Sequence, residues 1–123
     1  MKSGFSRRVY GTEYEQKAET FLREKGYRFL DRNVNFKSGE IDLVFECDLI
    51  KGVELVFIEV RKRDSRGYIR AEESITFPKA RKLRNAIRLY LTKYRGQALS
   101  MRVDLIAFQD EGPVHYPNFL PLE

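Results

Sequence analysis

A chain of 123 residues, 42% hydrophobic and 33% charged, has the size and composition of one compact domain, which excludes collagen-like, low-complexity and wholly disordered classes. A single cysteine (Cys47) and a single histidine (His115) exclude an intrachain disulfide and a zinc centre built from one chain's usual nitrogen and sulfur ligands. The net charge of +5 is unevenly spread: residues 61–95 hold twelve Lys/Arg against three acids, while the remainder is net acidic. A field of that kind attracts polyanions. No apolar run reaches the ~18 residues of a membrane span, and Met1–Arg8 lacks the apolar stretch of a signal peptide. The expectation is a cytoplasmic protein with no membrane partner.

Residues 1–10 are basic and are expected to be loose; the domain is placed at 11–109 and a Pro-containing tail at 110–123. Thr12-Glu13-Tyr14-Glu15 reads as a capping box opening a helix, with Tyr14, Ala18, Phe21 and Leu22 as its apolar stripe and Gly26 as its stop. Tyr27–Phe36 reads as extended and Lys37–Gly39 as a turn. Glu40–Cys47 reads as a strand with Ile41, Leu43 and Phe45 on one face, and Val53–Val60 as its antiparallel hairpin partner. Arg61–Tyr68 is charged and reads as a loop. Pro78 opens a second helix to about Tyr94, with Ala80, Leu83, Ala86, Ile87 and Tyr90 at helical spacing and Lys79, Arg81, Lys82, Arg84, Arg88 and Lys93 on its other faces. Met101–Phe108 is a last strand, and Pro113, Pro117 and Pro121 point to an irregular tail. The order α-β-β-β-α-β indicates an α/β fold, a mixed sheet flanked by helices.

Carboxylates fall in unusual places. Both faces of the hairpin strands are rich in apolar residues, so Asp42 and Glu59 sit near buried surface and need a cation, a metal or a hydrogen-bond network. Glu15 borders the apolar stripe of the first helix; the capping box accounts for it, and so would a place in a site. Three such acids make a hard-cation site of the kind Mg²⁺ or Mn²⁺ takes, with Arg61 placed to neutralise charge on a phosphate. The alternative for Glu59 and Arg61 is a structural ion pair at a strand end.

Several segments together resemble a known family: Gly11-x-x-x-Glu15-x-x-Ala18, Gly26-Tyr27, Arg32-Asn33, Gly39-Glu40-Ile41-Asp42-Leu43, Val56-Phe57-Ile58-Glu59-Val60-Arg61, Lys79-x-x-Lys82-Leu83 and Arg102-x-Asp104. From about residue 10 to residue 108 the chain resembles the YraN family of small bacterial proteins, itself similar to a minimal PD-(D/E)XK nuclease. The resemblance implies a restriction-endonuclease-like αβββαβ core and Mg²⁺- or Mn²⁺-dependent hydrolysis of DNA phosphodiester bonds, branched DNA included. By position, Asp42 matches the strand aspartate, Glu59 the acid of the (D/E)-x-K element and Glu15 the first-helix glutamate; Glu40 belongs to the Gly-Glu-Ile-Asp string. DNA is the implied partner, with RNA left open, through Arg61, Lys62, Arg63, Arg66, Lys79 and Lys82. Junction-cutting relatives imply a two-fold dimer.

The departure is Arg61, which stands where the superfamily pattern has Lys. Arginine clamps phosphate but stays protonated and cannot serve as a general base. A nucleic-acid-binding module that keeps the fold without cutting is therefore the competing reading. Lys62 should point to the opposite face of a regular strand and would need a bulge to substitute. Asp104 is assigned to structure, His115 to the surface, Cys47 to inert packing, and most of the tyrosines and phenylalanines to the core, since no aromatic run resembles a stacking motif.

Overall fold

The computed structural model describes residues 12–62 and 75–122. In chain order these form α1 (Glu13–Glu24), β1 (Arg28–Phe36), β2 (Gly39–Leu49), β3 (Gly52–Lys62), α2 (Phe77–Leu91), β4 (Ser100–Gln109) and β5 (Gly112–Leu120). The expected α-β-β-β-α-β order is present, followed by a fifth strand. The N-terminal segment and residues 63–74 of the basic stretch lie outside the described residues.

One sheet carries all five strands in the order β1-β2-β3-β4-β5. Every neighbouring pair is antiparallel except β3 and β4, which run parallel. A parallel pair needs a crossover, and α2 lies in it. The central strands are covered on both sides and read as near-continuous apolar runs for that reason. On one face Ala18 and Leu22 of α1 pack against Leu43, Phe45, Val56, Ile58 and Ile106. On the other, Leu83, Ala86, Ile87 and Tyr90 of α2 pack against Val44, Leu55, Phe57 and Val103.

Both helices start where side chains satisfy their first amides. Thr12 Oγ1 accepts from the Glu15 amide and Glu15 Oε1 accepts from the Thr12 amide, completing the expected capping box. Thr76 caps α2 by accepting from the Lys79 amide, so this helix begins one residue before Pro78, which sits in its first turn. β3 runs on to Lys62 because β4 pairs with it throughout, so Arg61 and Lys62 belong to a strand and not to a loop.

The tail expected to be irregular is β5, paired antiparallel with β4 at the sheet edge. Proline lacks an amide to donate, which an edge strand tolerates. Pro113 stands opposite Phe108, and Pro117 falls where the register shifts between Val103 and Leu105. Asn118 there has φ 52° and donates its amide to Asp104 Oδ1 at 2.7 Å. His115 is likewise not a surface residue. Its side chain is 8% exposed, with Nε2 2.7 Å from Asp104 Oδ2 and Nδ1 3.1 Å from Lys25 Nζ. Arg102 Nε donates to Asp104 Oδ1 at 2.9 Å, and Arg102 Nη2 donates to the Tyr27 hydroxyl at 2.8 Å. Asp104 therefore binds β5 to the sheet, a structural role as expected.

Gly39 opens β2 against α2. A Cβ built there would lie 2.2 Å from the Lys82 carbonyl oxygen, so the backbones approach as only glycine permits. Gly39→Ala should cost about 1–3 kcal/mol and loosen the start of α2, read from the urea midpoint. Asp104→Ala should cost about 3 kcal/mol, because three donors lose a buried acceptor. Burial alone would raise the Asp104 carboxyl, but hydrogen bonds from His115, Arg102 and Asn118 outweigh it and hold it below its usual range. Its contribution is therefore present above the unfolded carboxylate pKa and lost as pH falls through the lowered value. The wild type should accordingly lose more stability than Asp104→Ala on acidification.

Candidate functional site

The site forms where two strands part. The β2–β3 register runs from Leu49↔Gly52 to Leu43↔Ile58 and goes no further, although β2 continues back to Gly39 and β3 on to Lys62. On its other side β2 passes from Leu43, opposite Arg32, to Ile41, opposite Val34, while Asn33 takes φ 51°. Asn is among the few residues that tolerate this left-handed region. The alternation slips at Asp42. Leu43 and Phe45 face α1, whereas Ile41 joins Val44 on the α2 side. The expectation that Ile41, Leu43 and Phe45 share a face fails at this irregularity.

Asp42 occupies the gap. Its Oδ2 accepts from the Val60 amide at 2.9 Å, in the stretch of β3 that β2 no longer pairs. A buried amide needs an acceptor, and here a side chain replaces the ladder carbonyl. The next residue inward on β3, Glu59, is 3% exposed; its Oε2 lies 3.1 Å from Arg61 Nη2 and 3.6 Å from Lys79 Nζ. Burial pushes the Asp42 carboxyl well above its usual range, repulsion from Glu59 and then Glu15 adds to this, and the Val60 amide and Lys79 only partly offset it. The Glu59 carboxyl is also raised, by burial first. Arg61 and Lys79 oppose that rise and Glu40 reinforces it.

An open cleft of about 420 Å³ leads to Glu59 from the α2 side. Glu40 and Glu59 lie on it, with Lys37 from the β1–β2 turn and Thr76, Pro78, Lys79 and Lys82 from the start of α2. Acids thus meet cations across one opening, at the end of the sheet where β2 and β3 separate.

The model of Uncharacterised protein family UPF0102 matches residues 14–108, from α1 through β4. The chain belongs to this family. A UPF0102 protein of Actinobacillus pleuropneumoniae serotype 5b is 37% identical over 119 residues, covering 94% of each chain. One from Persephonella marina is 36% identical over 115 residues, 94% of this chain and 96% of its own. One from Vibrio campbellii is 37% identical over 110 residues, 88% and 87%. UPF0102 is the YraN family that the Gly39–Leu43 and Val56–Arg61 motifs resemble.

In this UPF0102 chain Asp42, Glu59 and Arg61 come together, and Lys79, carried over by the crossover that follows β3, joins them. Glu15 is buried and caps α1, as the capping box predicts, and its charge helps raise the Asp42 carboxyl. Lys62 does not substitute for Arg61. The β3–β4 register is unbroken through Lys62↔Phe108, and Lys62 Nζ lies 5.4 Å from the centre of the Tyr14 ring on the α1 side. Lys82 lines the cleft, whereas Arg63 and Arg66 lie outside the described residues. Sequence reasoning left Glu40 without a role and did not single out Lys37; their link to Glu59 arises from the turn that folds β1 onto β2. Among the described residues no helix is long and apolar enough to cross a membrane.

Because the folded Asp42 holds its proton more tightly than the unfolded chain does, its favourable contribution exists below the unfolded pKa and disappears as pH rises through the raised value. Asp42→Asn keeps an oxygen for the Val60 amide and removes the charge. In chelator-treated neutral buffer the variant should be more stable than wild type by about 1–3 kcal/mol. The gain should shrink in acid, as read by urea unfolding at both pH values.

Proposed function

We propose that this protein is a metal-dependent nuclease of the PD-(D/E)XK type that hydrolyses phosphodiester bonds of DNA. The observation that carries this reading is the convergence of buried Asp42 and Glu59 where β2 leaves β3, directly beneath the cations of α2. Two buried carboxylates, both raised by burial and Asp42 further by Glu59, are costly to keep unless a cation is bound between them. The donor set is all oxygen: Asp42, Glu59 and the Val60 carbonyl, with Glu15 in support. Such donors fit Mg²⁺ or Mn²⁺. When bound, the metal supplies a water of lowered pKa and charge neutralisation at the phosphate.

The protein's own groups divide the remaining work. The Val60 amide fixes one oxygen of Asp42 and so orients the carboxylate. Arg61, 27% exposed at its side chain, is placed to meet a phosphate and stabilise its added negative charge. Lys79 stands on the opposite wall, within reach of both Glu59 and a neighbouring phosphate. Lys37, Arg61, Lys79 and Lys82 draw a polyanion to this end of the molecule and make binding salt-sensitive.

A specific contact favours the second reading, a nucleic-acid-binding module that does not cut. Arg61 stands in the Lys position and is ion-paired with Glu59, which withholds a general base and competes with a metal for the carboxylate.

Plasmid, linear, single-stranded and four-way-junction DNA, incubated with Mg²⁺ or Mn²⁺ and with a chelator control, separate the two. The nuclease reading expects metal-dependent cutting that falls by roughly a hundredfold or more in Asp42→Ala and Glu59→Ala, with binding retained. Salt-sensitive binding without cutting, unchanged in Arg61→Lys, establishes the module instead. An absence of both sinks the two together.

A further inference from the structure

Two cations address the same oxygen of Glu59, and they are held differently. Arg61 comes from the same strand, and its Nη2 lies 3.1 Å from Glu59 Oε2. Lys79 comes from the first turn of α2, and its Nζ lies 3.6 Å from that oxygen with the side chain 39% exposed. The charge of Lys79 also acts on the Asp42 carboxyl, so this one ammonium serves both buried acids. Its contact is the looser of the two. The residue lines the cleft together with Lys37 and Lys82.

The position is an adverse one for a lysine. The first turn of a helix lies at the positive end of its dipole, which favours acids and disfavours cations. The first turn of α2 holds no acid, and Lys79 sits within it with its amide capped by Thr76. The backbone is fixed there, because Gly39 closes against the Lys82 carbonyl, whereas the ammonium rides on a long flexible stem. An ammonium stays at such a place when anions stand in front of it. Here those anions are the Asp42 and Glu59 carboxylates, the same oxygens that fit a divalent cation. Two cations cannot both be satisfied by them at full strength. Once the acids are answered by a metal, Lys79 and the positive end of α2 face the cleft with that pairing lost, and phosphate is the anion such a field takes.

Resting on the metal-dependent reading above, we propose that Lys79 is a displaceable counter-ion, which neutralises Asp42 and Glu59 in the chelated protein and is released into the cleft, to hold a substrate phosphate, when a divalent cation takes those acids. The grip on the nucleic acid is thereby completed by the metal, and the two ligands strengthen one another through a single side chain. Arg61, closer to Glu59 and on the same strand, stays where it is.

Amine acetylation of the whole protein, read lysine by lysine by mass spectrometry, measures the release directly, with Mg²⁺ binding followed by calorimetry in parallel. Saturating Mg²⁺ should raise the labelling of Lys79 severalfold and leave that of Lys82 little changed. A short phosphorothioate duplex, which resists hydrolysis, should then protect Lys79. Lys79→Met keeps an unbranched side chain and removes the charge. It should bind Mg²⁺ roughly fivefold more tightly or better, and lose most of the gain in duplex affinity that Mg²⁺ gives the wild type. Lys82→Met should weaken duplex binding without changing Mg²⁺ affinity. Bound Mg²⁺ with unchanged Lys79 labelling overturns the displacement and leaves the nuclease reading standing, as does a Lys79→Met variant whose Mg²⁺ affinity is equal to or below that of wild type. A wild type that binds no Mg²⁺, with or without the duplex, overturns both.

Discussion

The hydrogen bond from the Val60 amide to the Asp42 carboxylate is the contact on which the arrangement of the site depends. Up to Leu43 and Ile58, β2 and β3 are held by an ordinary antiparallel ladder. Beyond that point the ladder stops, and a strand that parts from its neighbour leaves buried amides without acceptors. A charged side chain takes over the acceptor's role at Val60. The separation opens the end of the sheet so that Glu59 meets Lys79 and Arg61. The bond that closes the gap also fixes a carboxylate within it. Positioning and hydrogen-bond satisfaction are here a single requirement.

The parallel β3–β4 pair explains why cations from the crossover after β3 arrive at the same place. A crossover must leave the end of β3, and α2, lying within it, contributes Lys79 and Lys82 to the cleft beside Glu59. The close approach of Gly39 to the Lys82 carbonyl sets how near β2 lies to the helix. The topology lays the start of α2, with Lys79 and Lys82, over the end of the sheet that carries Glu40 and Glu59.

Much of this was legible because local signals agreed with the final structure. The Thr12–Glu15 capping box, the apolar spacing of α2 and the runs that became β2, β3 and β4 each follow from short-range preferences. Asp42, Glu59 and Glu15 stood out because carboxylates in apolar surroundings demand a partner. What was not legible depended on tertiary pairing. The prolines of β5 argue against a strand until the segment is known to lie at an edge, where the missing amides cost nothing. His115 reads as a surface residue until β5 places it against Asp104. The face of Ile41 cannot be read by alternation, since Asn33 and Asp42 interrupt the count.

Three of the buried acids, Asp104, Asp42 and Glu59, divide into two kinds with opposite signs. Asp104 is surrounded by donors, its carboxyl is pulled down, and it strengthens the fold at neutral pH. Asp42 and Glu59 are pushed up by burial, Asp42 also by Glu59 and Glu15 and Glu59 also by Glu40, so each weakens the fold when ionised. A sequence selected for stability alone would not keep the second kind, because an amide at position 42 could still accept from Val60. Two carboxylates only partly compensated, Glu59 at an opening lined with lysines and Asp42 buried beside it, are what the proposed ligand site would require. The Asp104 network at the β5 side supplies stability against which that cost can be set. Arg61 and Lys79 oppose the rise that burial imposes on the Glu59 carboxyl without cancelling it, so these ion pairs offset only part of the burial cost.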